Sequence, residues 1–323
     1  MSPTNMTSPP TISLHVYTDF DSTAVLTDTG NSILAHQIGH KELDRIDRLP
    51  ETDAGRISLR KAEDMKWENL RLSVSQAADI LVSPEDCVNS QNGDSTTGPG
   101  KLPAATEGFN PVPFDARQEQ QQSGDNSVDD TVNDNYRVRL DPGFRAFHRY
   151  CQENQIPITI VSLGIQPLIE ELLNRYLGVD HGIIVRANGL TTRPDGAWKV
   201  VWRDSSPFGL EKGRALREAR AKDLKNPTTD KILWCGDGSS DFPAALTSDI
   251  VFARQNTSLE KLCRANSITH QAFVTFATVQ DTVRDWVETQ RKSQQQEQGQ
   301  GPATTTTIAA AAGVSNGGVL VEP

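Results

Sequence analysis

Asp19 and Asp21 stand two residues apart in Asp19-Phe20-Asp21-Ser22-Thr23, directly after the alternating apolar residues Ile12, Leu14 and Val16. Ser162 follows the run Ile156-Pro157-Ile158-Thr159-Ile160-Val161. A third motif, Gly236-Asp237-Gly238-Ser239-Ser240-Asp241, follows Lys231-Ile232-Leu233-Trp234-Cys235. Each falls where a buried strand should stop, and together they supply the parts of a phosphoryl-transfer site. A carboxylate can attack phosphorus and form an aspartyl-phosphate. A second carboxyl nearby can protonate the leaving alkoxide, then deprotonate the water that releases phosphate. Spacing alone does not decide which of Asp19 and Asp21 takes which role. Magnesium prefers one or two carboxylates plus waters and phosphate oxygens, and Asp237 would meet Asp19 at the ends of adjacent strands. Gly236 and Gly238 are expected to let the backbone turn sharply beside the ion. Ser162 and Lys212, the latter opening a charged helix after Ser206-Pro207-Phe208-Gly209, are candidates for the phosphoryl oxygens.

The elements that must position these groups read as an alternation. A strand leads into Asp19, and residues 30–82 read as helices. Asp141-Pro142 predicts a helix start with Asp as N-cap and Pro at the first helical position. Strand 156–161 is followed by a helix with Leu168, Leu172, Tyr176 and Leu177 on its apolar side. Residues 182–202 read as a hairpin turning at Pro194-Asp195-Gly196. A charged helix from about Glu211, strand 231–235, strand 250–253 and an amphipathic helix from Phe276 to Val287 complete the pattern. Strands alternating with helices predict an α/β fold, a doubly wound parallel sheet with ligands at the carboxyl ends of its strands.

These residues resemble the haloacid-dehalogenase superfamily of phosphatases, in its phosphoserine-phosphatase-like branch. That family's DxDx[TV] motif is matched by Asp19, Asp21 and Thr23, its Ser/Thr motif by Ser162, its lysine by Lys212, and its GDGxSD motif by Asp237 and Asp241. The match covers about 11–29 and 138–256, with a weaker helical match at 30–82. The resemblance implies a Rossmann-like hydrolase core, with Asp19 as nucleophile and Asp21 as acid/base. It also implies that Thr23, Ser162 and Lys212 bind phosphate. Magnesium would be held by Asp19, the Asp21 carbonyl and Asp237, with Gly238 and Asp241 in support. Ser22 departs from the family's usual Gly, Leu163 from a common small residue, and Glu211 from a usual Asp before the lysine. The implied organisation is a core at 11–29 and 138–290, interrupted by a helical cap at 30–137. Arg56, Arg60 and Lys61 are the candidates in that cap for contacting the leaving group.

Composition bounds the rest. Residues 83–135 carry ten acidic and two basic residues, a net of −8 within the chain's −10. The acidity therefore belongs to a Ser-, Gly-, Pro- and Gln-rich insert expected to be disordered, and says little about what the folded part binds. Residues 291–323 are likewise expected to form a disordered tail. Four scattered cysteines read as reduced thiols. The absence of a secretory pattern, an apolar span or a basic aromatic stripe predicts a cytoplasmic protein without membrane or nucleic-acid partners. The oligomeric state is unreadable. His36 and His40, four apart, lack a third metal ligand and read as surface or cap histidines. The reading that follows is a magnesium-dependent phosphomonoesterase acting on a small phosphorylated metabolite of phosphoserine, phosphocholine or methionine-salvage type. An aspartate-based phosphotransferase and a catalytically silent interaction protein using the acidic insert are its rivals.

Overall fold

The computed structural model describes residues 14–52, 57–88, 135–207, 209–223 and 231–299. One compact unit is Ile12–Thr282. Within it the chain runs β1 (Leu14–Thr18), α1 (Thr29–Ile38), α2 (His40–Asp47), α3 (Leu49–Thr52), α4 (Leu59–Trp67), α5 (Val74–Leu81), α6 (Phe144–Glu153), β2 (Ile158–Ile165) and α7 (Gln166–Leu177). It continues through β3 (Ile184–Thr192), β4 (Trp198–Val201), α8 (Lys212–Asp223), β5 (Lys231–Gly236), α9 (Phe242–Ala245), β6 (Ile250–Arg254), α10 (Ser258–Ala265) and β7 (Gln271–Phe273). The last helix, α11, is Phe276–Gly299, and its residues from Val283 onward lie outside this unit.

Among the described residues the strands form one seven-stranded sheet in the order β4-β3-β2-β1-β5-β6-β7. All pairings are parallel except β3 with β4. This is the Rossmann-like α/β sheet. β1 lies at its centre because the chain first builds outward through β2 and β3, then returns to build through β5, β6 and β7. A crevice opens where the winding reverses, at the carboxyl end of β1. The three motif strands β2, β1 and β5 are direct neighbours there, with Thr18 opposite both Ile160 and Cys235. Parallel strands covered on both faces need continuous apolar runs. Residues 232–236 of β5 are accordingly all buried, and Tyr17, Val161 and Trp234 share one cluster with Leu216 of α8 and Leu259 of α10.

Several boundaries correct the sequence reading. β2 does not end at Ser162 but runs to Ile165, with a register shift between Val161 and Ile165. Ser162 therefore sits in an irregular strand end, where pairing lapses and side chains can be re-aimed. The helix expected at Asp141 starts at Phe144, because the Asp141 carboxylate is used elsewhere. Its Oδ1 accepts from Gly143 N and Phe276 N, and its Oδ2 from Arg254. β7 and α10 were not expected. The insert starts later than expected: residues 84–86 form a turn of helix, and Val88 N donates to Arg175 O at 2.8 Å. The remainder of that insert, 89–134, lies outside the described residues. Helix α11 runs to Gly299, past the tail boundary expected at 291; residues 300–323 of that tail lie outside the described residues.

Candidate active site

Asp19 is the first residue after β1. Its amide donates to Cys235 O at 2.9 Å, fastening the β1 end to β5, and its Oδ1 accepts from Phe20 N at 2.7 Å. The chain then makes one wide turn, closed by Val25 N on Phe20 O at 3.0 Å. Ser22 sits in that turn at φ 53°, a left-handed conformation that glycine adopts without penalty. This is the physical reason glycine suits the position, and serine tolerates it. The turn returns Asp21 to the crevice, where Thr29 N and Oγ1 at the start of α1 donate to Asp21 Oδ1 at 2.8 and 2.7 Å.

Lys212 opens α8 and is fully buried. Its Nζ lies 2.6 Å from Asp19 Oδ2 and 2.7 Å from Asp241 Oδ1. The other Asp241 oxygen accepts from Asp237 N and Gly238 N at 2.9 and 2.8 Å, so Asp241 is spent on holding the lysine and the loop. Ligand atoms of Asp19, Asp237 and Asp241 lie within 4.8 Å of one another. Ser162 is buried in β2, and its Oγ accepts from Gly164 N at 3.0 Å. A β-carbon added at Gly164 would lie 3.2 Å from Ser162 Oγ and 3.4 Å from Asp21 Oδ2, so serine and acid face one small space.

Two expectations change. Thr23 is not placed to bind phosphate: it is fully buried, and its hydroxyl donates to Asp237 Oδ1 at 2.9 Å, orienting the carboxylate instead. Nor does Gly236 or Gly238 adopt a left-handed turn. Gly236 is there for close approach, since a β-carbon would stand 2.5 Å from Asp241 Oδ2. Gly236→Ala is therefore expected to lose about 1–3 kcal/mol of stability by overpacking, read as a lower denaturation midpoint. An unchanged midpoint would show that the loop relaxes freely.

Of the cap candidates, Arg56 lies outside the described residues. Arg60 is turned away from the reacting groups: its guanidinium donates to the Asp204 and Ser206 carbonyls and lies over the Trp202 ring, 5.1 Å from its centroid. Lys61 is exposed. His36 and His40 both contact the Tyr136 ring. Sequence reasoning missed Thr29, which orients Asp21, and also Arg254. That arginine ends β6, and its Nη2 donates to Thr23 O at 2.7 Å and to Asp141 Oδ2 at 2.9 Å, bracing the turn that follows β1. A cation closing a buried strand was the available signal.

The electrostatics are those of crowded, buried carboxylates. Burial pushes the Asp19 carboxyl well above its ordinary range, against the pull of Lys212. Burial and then Asp28 push Asp21 up to about 7. Burial and then Asp241 push Asp237 up to about 6. Burial alone would lower Lys212, but Asp19 and Asp241 more than offset it and hold the ammonium charged. One lysine thus faces three carboxylates (Asp19, Asp237 and Asp241), and the donor set is all hard oxygen, which suits a small divalent cation.

A model of the haloacid dehalogenase-like hydrolases matches residues 115–246, which include Ser162, Lys212, Asp237 and Asp241. That match spans less than half of the chain and begins after Asp19 and Asp21. Three relatives add to this. "Pdp3-interacting factor 1" of Schizosaccharomyces pombe is 26% identical over 269 residues, covering 82% of this chain and 93% of that protein. "Polyol phosphate phosphatase PYP1" of Saccharomyces cerevisiae is 34% identical over 149 residues, 44% of this chain and 62% of that protein. A "2-hydroxy-3-keto-5-methylthiopentenyl-1-phosphate phosphatase" of Lysinibacillus sphaericus is 28% identical over 152 residues, 46% of this chain and 64% of that protein. The chain thus spans somewhat under two thirds of the two relatives named as phosphatases. Among the described residues, no helix is long and apolar enough to cross a membrane.

Proposed function

We propose that this protein is a magnesium-dependent phosphomonoesterase that acts on a small phosphorylated metabolite through an aspartyl-phosphate on Asp19. The observation that carries the reading is the buried Lys212 bridging Asp19 and Asp241 beside Asp237. This arrangement sets one ammonium beside a carboxylate that can reach phosphorus, and its excess of carboxylates calls for a divalent cation to offset the phosphoryl charge. An Asp19 carboxylate oxygen attacks phosphorus, and the P–O bond to the leaving group breaks. Asp21, protonated near neutrality and steered by Thr29, gives its proton to the departing alkoxide oxygen. The resulting Asp21 carboxylate takes a proton from water as its oxygen attacks phosphorus, which frees phosphate and restores Asp19. Ser162 Oγ and Lys212 Nζ hold phosphoryl oxygens throughout, while Thr23 and Asp241 position Asp237. Asp19, the Asp21 carbonyl and Asp237 would hold magnesium, which supplies positive charge against the phosphoryl oxygens. Helices α1–α5 take the place of a cap: Trp67 of α4 and Leu34 of α1 wall the cavity that opens on Asp21. A cap that closes there would exclude water and read the leaving group.

The two relatives named as phosphatases are named for a polyol phosphate and for 2-hydroxy-3-keto-5-methylthiopentenyl-1-phosphate. Both are small phosphate monoesters, and both names support this substrate size. Phosphate release from a panel of such esters, with and without magnesium, tests the reading. Magnesium-dependent release is expected, and magnesium-independent release would contradict it.

Metal binding has a readout apart from turnover. Asp21 and Asp237 titrate above the ordinary carboxylate range, so their crowding costs stability as pH rises through about 6 to 7, and a bound cation returns it. Magnesium at about 100 times its Kd is expected to add about 2.7 kcal/mol. It should therefore raise Tm near pH 8, and do so less near pH 5, because the ligands must be deprotonated. Asp237→Asn should abolish the shift. An equal shift at both pH values, or one retained in that variant, would place the ion elsewhere.

A further inference from the structure

A cavity of about 270 Å³ runs from Asp21 and Gly164 to the side chain of Lys66, between Trp67 and Trp202. At roughly 30 Å³ per water it has room for about nine waters, the size of a small leaving group. Its far wall is built from three separate elements. Lys66 of α4 is only 5% exposed, and its Nζ donates to Asp47 Oδ1 of α2 at 2.7 Å and to Glu63 Oε1 at 2.6 Å. Asp28, the N-cap of α1, accepts from Asn31 N at 2.7 Å and completes the wall.

This wall has a definite chemistry. An ammonium carries three donors, and the two carboxylates hold two of them, leaving one to meet a ligand. The carboxylates of Asp28, Asp47 and Glu63 are acceptors for hydroxyl hydrogens. The indoles offer apolar surface to C–H groups: Trp67 stacks on Trp198 at 5.9 Å, and Trp202 is backed by Arg60, so each ring is fixed from behind. A leaving group with a carboxylate would meet three carboxylates and a lysine already paired. A cationic leaving group would have to compete with the Lys66 ammonium for Asp47 and Glu63. An uncharged alcohol with several hydroxyls finds both donor and acceptors, with no charge to bury.

Resting on the phosphomonoesterase reading, we propose that the ion triad Lys66–Asp47–Glu63, together with Asp28, reads the hydroxyls of an uncharged polyhydroxylated leaving group. The substrate class is then a polyol phosphomonoester, and Lys66 is the specificity-determining residue. A site built to hydrogen-bond a hydroxyl discriminates strongly, because its buried polar groups go unpaired otherwise.

The test measures kcat/KM with magnesium for a hexitol monophosphate, glycerol 3-phosphate, phosphoserine, phosphoethanolamine and p-nitrophenyl phosphate. The hexitol ester is expected to lead the panel. In Lys66→Met the ratio of hexitol monophosphate to p-nitrophenyl phosphate should fall roughly 10- to 100-fold, the scale of a lost charged hydrogen bond. Asp47→Asn, which keeps the shape of the wall, should lower the same ratio severalfold. A preference for phosphoserine or phosphoethanolamine, or a ratio unmoved in both variants, overturns the proposal and leaves the phosphatase reading standing. No magnesium-dependent release from any ester, p-nitrophenyl phosphate included, overturns both.

Discussion

Asp19→Asn is expected to lower phosphate release by a factor on the order of 10⁴ or more, the scale on which catalytic nucleophiles act. The variant should fold. Asp19 is one of three clustered carboxylates sharing a single lysine, and burial already disfavours its charge. Removing that charge eases the crowding while keeping nearly the same shape. Lys212 keeps Asp241 at 2.7 Å as its counter-ion. The expected pair of results is therefore lost turnover with an unchanged or raised Tm. Residual activity within tenfold of the parent would mean that water attacks the phosphate directly, with Asp19 only a ligand.

Asp241→Ala is expected to have the opposite balance, dominated by stability. Asp241 is fully buried and accepts from Lys212 Nζ, Asp237 N and Gly238 N. Its removal leaves the buried Lys212 ammonium with Asp19 as its one remaining carboxylate among the described residues and orphans two amides at once. Breaking one side of a buried ion pair costs about 3–5 kcal/mol, and the freed loop would no longer present Asp237 to the crevice. Urea denaturation should show the loss, and magnesium should fail to restore the midpoint. A change below about 1 kcal/mol, the scale of an exposed pair, would show that the pair is solvated and its partners relaxed.

The centre of the fold is legible in the sequence because each motif strand opens with an apolar run that leads to a polar group, which ends β1 and β5 and in β2 marks the start of its irregular end. Asp19, Ser162 and Asp237 are found that way, and the parallel sheet order brings them together. What is not legible has particular causes. Strand β7 has three residues, of which only Phe273 is buried, so it carries no periodicity. The last helix continues through Lys292, Gln294 and Gln295 because Gln and Lys are good helix formers, although the same stretch reads as low complexity. Asp141 has the local signature of an N-cap, yet tertiary contacts with Arg254 and Phe276 claim its carboxylate. Thr23 reads as a phosphate ligand because its motif places it near one. Only the paired ends of β1 and β5 show that its hydroxyl belongs to Asp237. The cavity wall is the least legible part, since Asp28, Asp47 and Lys66 come from three helices. Charged helix faces are usually just solvated.

The central claim is that Asp19 itself carries the phosphoryl group, and trapping that acyl phosphate tests it most directly. The enzyme is mixed with magnesium and a phosphomonoester it hydrolyses, quenched with hydroxylamine during turnover, digested, and its peptides weighed. Hydroxylamine attacks an acyl phosphate at the carbonyl carbon, expels phosphate and leaves a hydroxamate on the aspartate. The expected result is a hydroxamate on Asp19, dependent on substrate and magnesium and absent from Asp19→Asn. Phosphate release without any hydroxamate, or a hydroxamate on Asp21 or Asp237, would contradict the account.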